Sequence, residues 1–244
     1  MSKPFLIFGA TGGVGEALAR RLTARELPVF LSGRDGEKLT GLATLLGVRS
    51  AAGGVTDSDD IARIVEAATA DAEDGLAGLA FCVGSIDLKP LQRASAEDFA
   101  KAFHLNAIAA AIAVQQAAPA LKRGNGSVVL FSSIAVDQGF TNHAVVSAAK
   151  GAVEGLGRAL AADLAPDVRV NVVAPSLMDT AMAAPITQSD AMAQGIAKLH
   201  PIPRLGTAAD AAALAAFLLS EDAGWITGQI MRVDGGRSHL RTKG

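Results

Sequence analysis

Short apolar runs alternate along the chain with longer segments in which apolar residues recur at helical spacing. This alternation is typical of strand–helix–strand units around a parallel sheet, whose strands are apolar because helices cover both faces. The apolar runs predict seven strands, near residues 4–9, 28–33, 48–52, 78–83, 127–132, 168–173 and 229–233. The clearest helices between them are predicted at residues 13–24, 36–46, 58–72, 96–122, 143–164 and 208–219.

The alternation continues without a linker or a low-complexity break from residue 4 to about residue 235, and a short polar tail follows at residues 238–244. A chain of 244 residues is long enough to bury a large core. The pattern therefore predicts a single α/β domain over residues 1–244, built on a doubly wound parallel sheet.

Composition narrows the range of partners. The 22 basic and 24 acidic residues leave a formal charge of -2, which gives no general attraction to nucleic acid or to an anionic membrane. The longest apolar stretches, such as residues 107–114, fall short of the roughly 18 residues needed to cross a bilayer. A single cysteine, Cys82, and an N-terminus without a signal-peptide pattern favour a cytoplasmic protein. We therefore expect a small-molecule partner, with no nucleic acid and no membrane.

Glycines occupy the turn between the first predicted strand and the first predicted helix. Gly9, Thr11, Gly13, Val14 and Gly15 lie in this turn. Glycines there allow a tight turn and let backbone N–H groups approach a pyrophosphate at the positive end of a helix. The pattern predicts a dinucleotide site, and the alternative is a tight turn that binds nothing.

The end of the second strand bears on the type of dinucleotide. The residues Ser32-Gly33-Arg34 stand where an acidic side chain would bind the adenosine ribose of NAD, and Asp35 comes one place later. A guanidinium suits the charge and geometry of a 2′-phosphate. Arg34 therefore favours NADP(H) over NAD(H), and the alternative is a solvated arginine that opens the second helix.

The spacing of the three glycines resembles that of the short-chain dehydrogenase/reductase family, and further motifs of that family follow along the chain. Asn106 resembles its active-site asparagine, Ser132-Ser133 its catalytic serine pair, and Lys150 its active-site lysine. Residues 169–175 with Thr180 are similar to its nicotinamide-side segment, and residues 203–206, 226–229 and 233–236 are similar to its C-terminal third.

The resemblance implies a seven-stranded Rossmann fold that holds a dinucleotide across the carboxyl ends of its strands. Further cofactor contacts are then expected from Val55, Gly84, Lys150, Pro175 and Thr180. The resemblance also implies assembly as a homotetramer or homodimer, and a mobile substrate lid at about residues 177–205. That segment contains several methionines, so we expect an apolar and adaptable pocket. We expect no metal ion at this site.

Three departures from the family pattern concern binding. Phe8 replaces a threonine before the glycine turn, and Gly54 replaces an aspartate that in the family bonds adenine. Residues 81–84 read Phe-Cys-Val-Gly where the family has Asn-Asn-Ala-Gly. Loss of a charge-assisted bond to adenine costs about 1.5 to 3 kcal/mol, so weaker cofactor binding is expected.

The fourth departure concerns chemistry. The family's catalytic tyrosine stands four residues before the lysine, where this chain has Val146, and the chain contains no tyrosine at all. On an ideal helix His143, Val146 and Lys150 lie within about 60° of one another, so His143 can serve as a substitute general acid. The alternative is that His143 only lines a pocket or faces solvent at the start of its helix.

These observations predict an NADP(H)-dependent oxidoreductase with Asn106, Ser133, His143 and Lys150 as its catalytic candidates. The predicted reaction is hydride transfer to or from a small apolar carbonyl or alcohol. One alternative is reduction of an activated C=C bond, in which a hydrogen-bond donor stabilises an enolate. A second alternative is a non-catalytic protein that binds NADP(H) as a sensor or as a partner subunit.

Overall fold

Parallel strands form the central sheet of the structure, a computed structural model that describes residues 3–241. In chain order the strands are β1 Phe5–Phe8, β2 Val29–Gly33, β3 Arg49–Ala52, β4 Gly78–Phe81, β5 Ser127–Phe131, β6 Arg169–Pro175, β7 Met178–Asp179, β8 Gly206–Thr207 and β9 Ile230–Val233. The main sheet of the described residues has seven strands in the order β3-β2-β1-β4-β5-β6-β9, and β7 pairs with β8 apart from it. The predicted doubly wound parallel sheet of one α/β domain is confirmed.

Helices cover both faces of this sheet. In chain order they are α1 Gly13–Thr23, α2 Gly36–Leu46, α3 Ser58–Thr69, α4 Ala96–Phe103, α5 Ala109–Gly124, α6 Ala135–Gln138, α7 Ala144–Leu164, α8 Asp190–Ala197 and α9 Ala208–Leu219. Helices α3, α5 and α7 contribute to one core cluster, and α1, α2 and α9 contribute to the cluster on the opposite face. No helix of the described residues is both long and apolar enough to span a membrane. The cytoplasmic location inferred from the sequence stays a prediction.

Alternating side chains of the strands supply the two cores. Along β1, Leu6 and Phe8 belong to the cluster beneath α3, α5 and α7, whereas Phe5 and Ile7 belong to the cluster on the other face. Successive side chains of a strand point to opposite faces, so a strand that is covered on both sides must be apolar throughout. This explains why unbroken apolar runs located the strands in the sequence.

Several predicted boundaries need correction. The helix expected at residues 96–122 is α4 and α5 joined by a π-helical turn, His104–Ile108, and it ends at Gly124. The spacing of apolar residues could not show this, because one π-helical turn leaves that spacing almost unchanged. The helix expected from residue 143 begins at Ala144, because His143 has non-helical dihedral angles and stands at the N-cap. Helices α6 and α8 and the pair β7–β8 were not predicted, since each is too short to show a periodic pattern.

The predicted polar tail is tied to the domain at its start. The Asp234 carboxylate accepts hydrogen bonds from the backbone N–H groups of Gly236 and Ser238, each at 2.9 Å. Gln138 of α6 donates its side-chain amide to the Ser238 carbonyl at 3.0 Å. The segment after β9 is therefore held against the domain as far as Ser238. Residues 242–244 of the predicted tail lie outside the described residues.

Candidate active site

The glycine turn after β1 is too tight for side chains. Gly9 has a φ of +75°, in the left-handed region that favours glycine. A Cβ at Gly15 would lie 2.2 Å from the Gly9 carbonyl oxygen, so the start of α1 rests directly on the turn. These two constraints explain the glycines at positions 9 and 15, and they bring the backbone of α1 to the edge of the sheet at the end of β1.

The N-terminus of α1 has the form of an anion site. Helices α2, α3, α4, α8 and α9 are each capped by a side chain that accepts a backbone N–H, from Asp35, Asp57, Ser95, Ser189 and Thr207 respectively. Within residues 3–241 no side chain caps α1, which begins after Gly12, or α7, which begins after His143. The first-turn N–H groups of α1, on Gly13, Val14 and Gly15, are therefore available to a ligand. An uncapped N-terminus with a positive dipole end fits the pyrophosphate of a dinucleotide.

The predicted contact Thr180 lies beside this turn. A Cβ at Gly13 would come within 2.9 Å of the Thr180 methyl carbon, so the two residues are in close contact. Thr180 belongs to the segment after β6, and Gly13 opens α1 after β1. The structure thus brings the nicotinamide-side segment and the glycine turn together, as the resemblance implied.

Three consecutive residues at the end of β2, Gly33, Arg34 and Asp35, make different contacts. Gly33 lies against Thr11, since a Cβ at Gly33 would be 3.2 Å from the Thr11 hydroxyl oxygen. Asp35 accepts the backbone N–H of Lys38 at 3.2 Å and caps α2, and this bond is the main cause that lowers its pKa. Arg34 is exposed, and its guanidinium has no hydrogen-bond partner among residues 3–241. The acid next to Arg34 is therefore engaged in a helix cap, and Arg34 is free to meet a ligand.

A carboxylate that the sequence did not indicate lies at the end of β3. The backbone N–H of Gly54 donates to Asp60 at 2.7 Å, and Arg63 donates to the other carboxylate oxygen at 2.6 Å. The hydrogen bond from Arg63 is the largest cause that lowers the pKa of Asp60. An acidic group thus lies beside Gly54 and Val55, although it comes from the first turn of α3 and not from the strand end.

A cavity of about 310 Å³ opens at the carboxyl ends of β4, β5 and β6. Predicted site residues on its wall are Val14, Gly84, Ser133, His143, Lys150, Pro175 and Thr180, and Val146, at the family's tyrosine position, also lines it. The remaining candidates do not line it. Gly9, Thr11, Gly13, Gly15, Arg34 and Val55 lie at the glycine turn or at the ends of β2 and β3, and Asn106 lies behind Gly84.

Asn106 is positioned by the π-helical turn between α4 and α5. Its side-chain amide donates to the Ala102 carbonyl at 2.9 Å and to the Ser85 hydroxyl at 3.3 Å. Its Oδ1 is buried and has no partner among the described residues. A Cβ at Gly84 would lie 2.9 Å from both Asn106 Oδ1 and Lys150 Nζ. The two side chains therefore converge on Gly84, which has no side chain to block them.

Lys150 carries a buried charge. It is 8% exposed, and its Nζ donates to the Phe131 carbonyl at 2.8 Å. Burial lowers the pKa of Lys150 from its usual 10.5 to about 8. Burial also raises the pKa of the nearby Cys82 thiol to about 12, so this thiol stays protonated and supplies no counter-charge. Lys150 can therefore change its protonation state close to physiological pH.

Val146 and Ser133 complete the wall beside Lys150. Val146 is 5% exposed and presents only methyl groups one helical turn before the lysine. The Ser133 hydroxyl oxygen accepts the backbone N–H of Ala135 at 3.2 Å, which leaves its own proton for another acceptor. The wall beside Lys150 thus has two hydrogen-bond donors, the Ser133 hydroxyl and the Lys150 ammonium group. At the family's tyrosine position it has the apolar side chain of Val146.

His143 shares the cavity with Lys150 and stands at the N-cap of α7, directly before its first residue. Its Nδ1 lies 2.7 Å from the Thr141 carbonyl oxygen, so Nδ1 carries a proton and Nε2 is the free nitrogen. Its ring packs edge-on against Phe140, with 5.3 Å between ring centres. The helix starts one residue later than predicted, because His143 is the N-cap of α7 and not its first residue. The predicted place of His143 on the same side as Val146 and Lys150 agrees with the cavity wall that the three residues share.

Two further residues of the cavity wall were missed from the sequence. Phe140 precedes α7, and Arg237 follows β9, where the sequence indicated the end of the domain. The Arg237 guanidinium carbon lies 4.6 Å from the centre of the Phe140 ring. In the sequence Arg237 directly follows Val233-Asp-Gly-Gly236, and no motif at that position indicates that it lines a cavity.

Comparison with known proteins agrees with this geometry. A family model described as Enoyl-(Acyl carrier protein) reductase matches residues 9–238. The 3-oxoacyl-[acyl-carrier-protein] reductase MabA of Mycobacterium tuberculosis is 32% identical over 241 residues, which cover 97% of this chain and 93% of MabA. Dehydrogenase/reductase SDR family member 4 of Rattus norvegicus is also 32% identical, and the match covers 96% of this chain and 87% of that protein.

Solved structures give the same result. A short-chain type dehydrogenase/reductase from Mycobacterium ulcerans superposes with a TM-score of 0.91 at 32% identity, covering 99% of this chain and 92% of the other. The chain therefore belongs to the short-chain dehydrogenase/reductase family, whose members are oxidoreductases that bind a nicotinamide dinucleotide. The family resemblance seen in the sequence is confirmed.

We predict that Lys150→Met removes a pH dependence from the stability of the protein. Because burial lowers the pKa of Lys150 from 10.5 to about 8, the unfolded chain binds this proton more tightly than the folded protein. Raising the pH from 8 to 10 then favours folding through this group, by up to about 1.4 kcal/mol per pH unit. The measurement is the free energy of unfolding by denaturant, taken for both proteins at each pH.

The difference between wild type and Lys150→Met isolates this effect, because Cys82 and the other titrating groups are present in both proteins. We expect the wild type to gain stability relative to the variant from pH 8 to pH 10. A difference that stays constant between pH 7 and pH 10 would show that the ammonium group is not buried in solution.

Proposed function

We propose that this protein is an NADP(H)-dependent oxidoreductase that transfers hydride to or from a small apolar carbonyl or alcohol. The observation that carries the proposal is the buried Lys150 ammonium group on the wall of a largely apolar cavity. When bound, the nicotinamide supplies or accepts the hydride. The relative MabA is named as a reductase of 3-oxoacyl groups, which supports a carbonyl as the reacting group.

The proposed proton donor is Lys150 itself. As hydride reaches a carbonyl carbon, negative charge develops on the oxygen, which then needs a proton. Val146 has none to give. In the proposed step an N–H bond of the Lys150 ammonium group breaks, the proton goes to the substrate oxygen, and the neutral amine regains a proton from solvent. The apolar surroundings favour the neutral amine, and a pKa of about 8 suits an acid that works near neutral pH.

Ser133 and Asn106 have supporting roles in this proposal. The Ser133 hydroxyl proton is free to donate to the substrate oxygen, because its oxygen already accepts the Ala135 N–H. Asn106 Oδ1 and Lys150 Nζ converge on Gly84, so the amide holds an acceptor close to the ammonium group. His143 is kept as a second hypothesis for the proton donor, since it lines the same cavity.

We predict that NADPH oxidation with a panel of ketones falls as the pH rises through about 8, because the reaction needs the ammonium form of Lys150. Lys150→Met should lower kcat by about 10²- to 10⁴-fold, the usual contribution of general acid catalysis. Lys122→Met, which changes an exposed lysine of α5, is the matched control and should leave kcat unchanged. Adding a phenol with Val146→Tyr should raise kcat, provided the ring fits the cavity.

Each alternative has its own outcome in this assay. A pH dependence of kcat that disappears in His143→Ala and persists in Lys150→Met would transfer the donor role to His143. Turnover of enones with no turnover of ketones would indicate reduction of C=C bonds. Saturable NADPH binding without turnover of any ketone or enone, in wild type and in Val146→Tyr, would overturn catalysis and indicate a dinucleotide sensor.

We predict a preference for NADPH over NADH that depends on Arg34. Its guanidinium is exposed at the end of β2 and has no partner within residues 3–241, so it is free to pair with a 2′-phosphate. Arg34→Ala should weaken NADPH binding by about 10-fold and leave NADH binding unchanged. Arg25→Ala, which removes an exposed cation after α1, serves as the control in calorimetry. Equal affinities for the two cofactors in wild type would reject this assignment.

We propose that residues 177–205 form a substrate lid. The pair β7–β8 closes the base of this segment, with Met178 opposite Gly206 and Asp179 opposite Thr207. Between these strands α8 buries none of its residues against the domain. A helix with few packing contacts can move at low cost, and its side chains leave room for substrates of different shape.

We predict a homodimer or homotetramer. The continuous helix formed by α4, the π-helical turn and α5 presents Phe103 and Ile108, which are 44% and 39% exposed. Large apolar side chains on a helix surface favour burial against a second copy. Light scattering at micromolar concentration should give at least twice 24.7 kDa, and Phe103→Glu should shift the mass toward that of one chain. A 24.7 kDa species in wild type would contradict the prediction.

A further inference from the structure

The charges on the wall of the candidate cavity have one sign. Its charged side chains are Lys150 and Arg237, and no aspartate or glutamate lies on the wall among the residues that the structure describes. Most of the remaining wall is apolar, with Ile86, Leu88, Leu177, Met182 and Ile186 as examples. Lys150 has a part in the proposed reaction, and Arg237 has none.

Arg237 is held in place without a polar partner. It is half-buried, and its guanidinium lies over the face of Phe140, 4.6 Å from the ring centre. Within residues 3–241 the guanidinium makes neither a hydrogen bond nor an ion pair. The charge of Asp234 acts on it from a distance, but the carboxylate oxygens of Asp234 accept the N–H groups of Gly236 and Ser238. The N–H donors of Arg237 are therefore unused.

Arg169 is also half-buried, and its hydrogen bonds to the backbone give it a structural role that can be compared with Arg237. Arg169 donates to the backbone carbonyls of Leu218 and Ser220 at 2.9 Å, and it lies 3.4 Å from that of Ile226. Burial lowers the pKa of Arg169 and of Arg237 alike, so both guanidinium groups lose solvation. Only Arg169 recovers this loss through hydrogen bonds. A half-buried guanidinium whose N–H donors have no protein acceptor can bind an anion without first breaking a hydrogen bond within the protein.

The location of Arg237 assigns it to the substrate side of the cavity. Phe140, on which it stacks, lies between Ser133 and α7, and His143 packs on the same ring. The cofactor side is marked instead by Thr180, which contacts Gly13 of the glycine turn. We infer that the substrate carries an anionic group, a carboxylate or a phosphate, on an apolar body, and that Arg237 binds this group. The inference rests on the proposed function, since it takes the cavity as the substrate site.

The test measures binding, so that it does not depend on turnover. Calorimetry on the protein saturated with NADP⁺ compares octanoate, octyl phosphate and the neutral analogue octanamide. We expect wild type to bind one or both anions at least 10-fold more tightly than octanamide, and the tighter anion identifies the headgroup. Arg237→Met should weaken anion binding by about 10- to 100-fold and leave octanamide binding unchanged. Arg237→Lys keeps the charge but loses the forked geometry, and should fall between the two.

Arg241→Met is the matched control, because it removes an exposed cation from the same C-terminal segment. It should bind all three probes as wild type does. Equal affinity of wild type for the anions and octanamide, no anion binding at millimolar concentration, or full anion affinity in Arg237→Met would each overturn the inference. Failure of the proposed function would be seen in a different measurement, as the absence of NADPH binding or of hydride transfer in the ketone assay.

Discussion

All strands of the main sheet are parallel, so their carboxyl ends lie along the same edge of the sheet. This constraint brings the residues of the candidate site together. The residues that follow the strands of the main sheet, in their order across it from β3 to β9, are Val55, Arg34, Gly9, Gly84, Ser133, Thr180 and Arg237. This order runs from the proposed adenosine end, past the uncapped helix and the buried lysine, to the proposed anion site. One architectural rule thus brings the proposed cofactor contacts, the buried lysine and the proposed anion site to the same edge of the sheet.

The absence of a phenol at Val146 and the lowered pKa of Lys150 both affect how the site can supply a proton. An ammonium group has three N–H donors, and among the residues that the structure describes Lys150 has one hydrogen-bond acceptor, the Phe131 carbonyl. Val146 adds apolar surface one turn away and offers no oxygen. An isopropyl group in place of a phenol removes a proton donor from the cavity wall. Burial lowers the pKa of Lys150 to about 8, into the range in which an amine can act as an acid near neutral pH.

The sequence located the seven strands of the main sheet and the glycine turn, because each is marked by a local pattern. Ser133 and Lys150 were named from the family resemblance, and both lie on the cavity wall. The sequence was not sufficient where position depends on contacts between distant segments. The π-helical turn that aims Asn106 changes the hydrogen bonding of a single turn and leaves the apolar spacing intact. Arg237 lies on the cavity wall with its guanidinium over the ring of Phe140, and the spacing of residues along the chain does not indicate this contact between distant segments. Asp60 likewise reaches Gly54 from the next helix.

The uncapped N-terminus of α1 has a consequence for the cofactor-free protein. A side-chain cap contributes about 0.5–2 kcal/mol to a helix, and five other helices of the described chain have one. Helix α1 gives up this contribution and keeps its first-turn N–H groups open. A pyrophosphate that binds there restores the missing interaction, so ligand occupancy and resistance to unfolding rise together. We therefore expect the chain to unfold more readily when dinucleotide is scarce than when it is abundant.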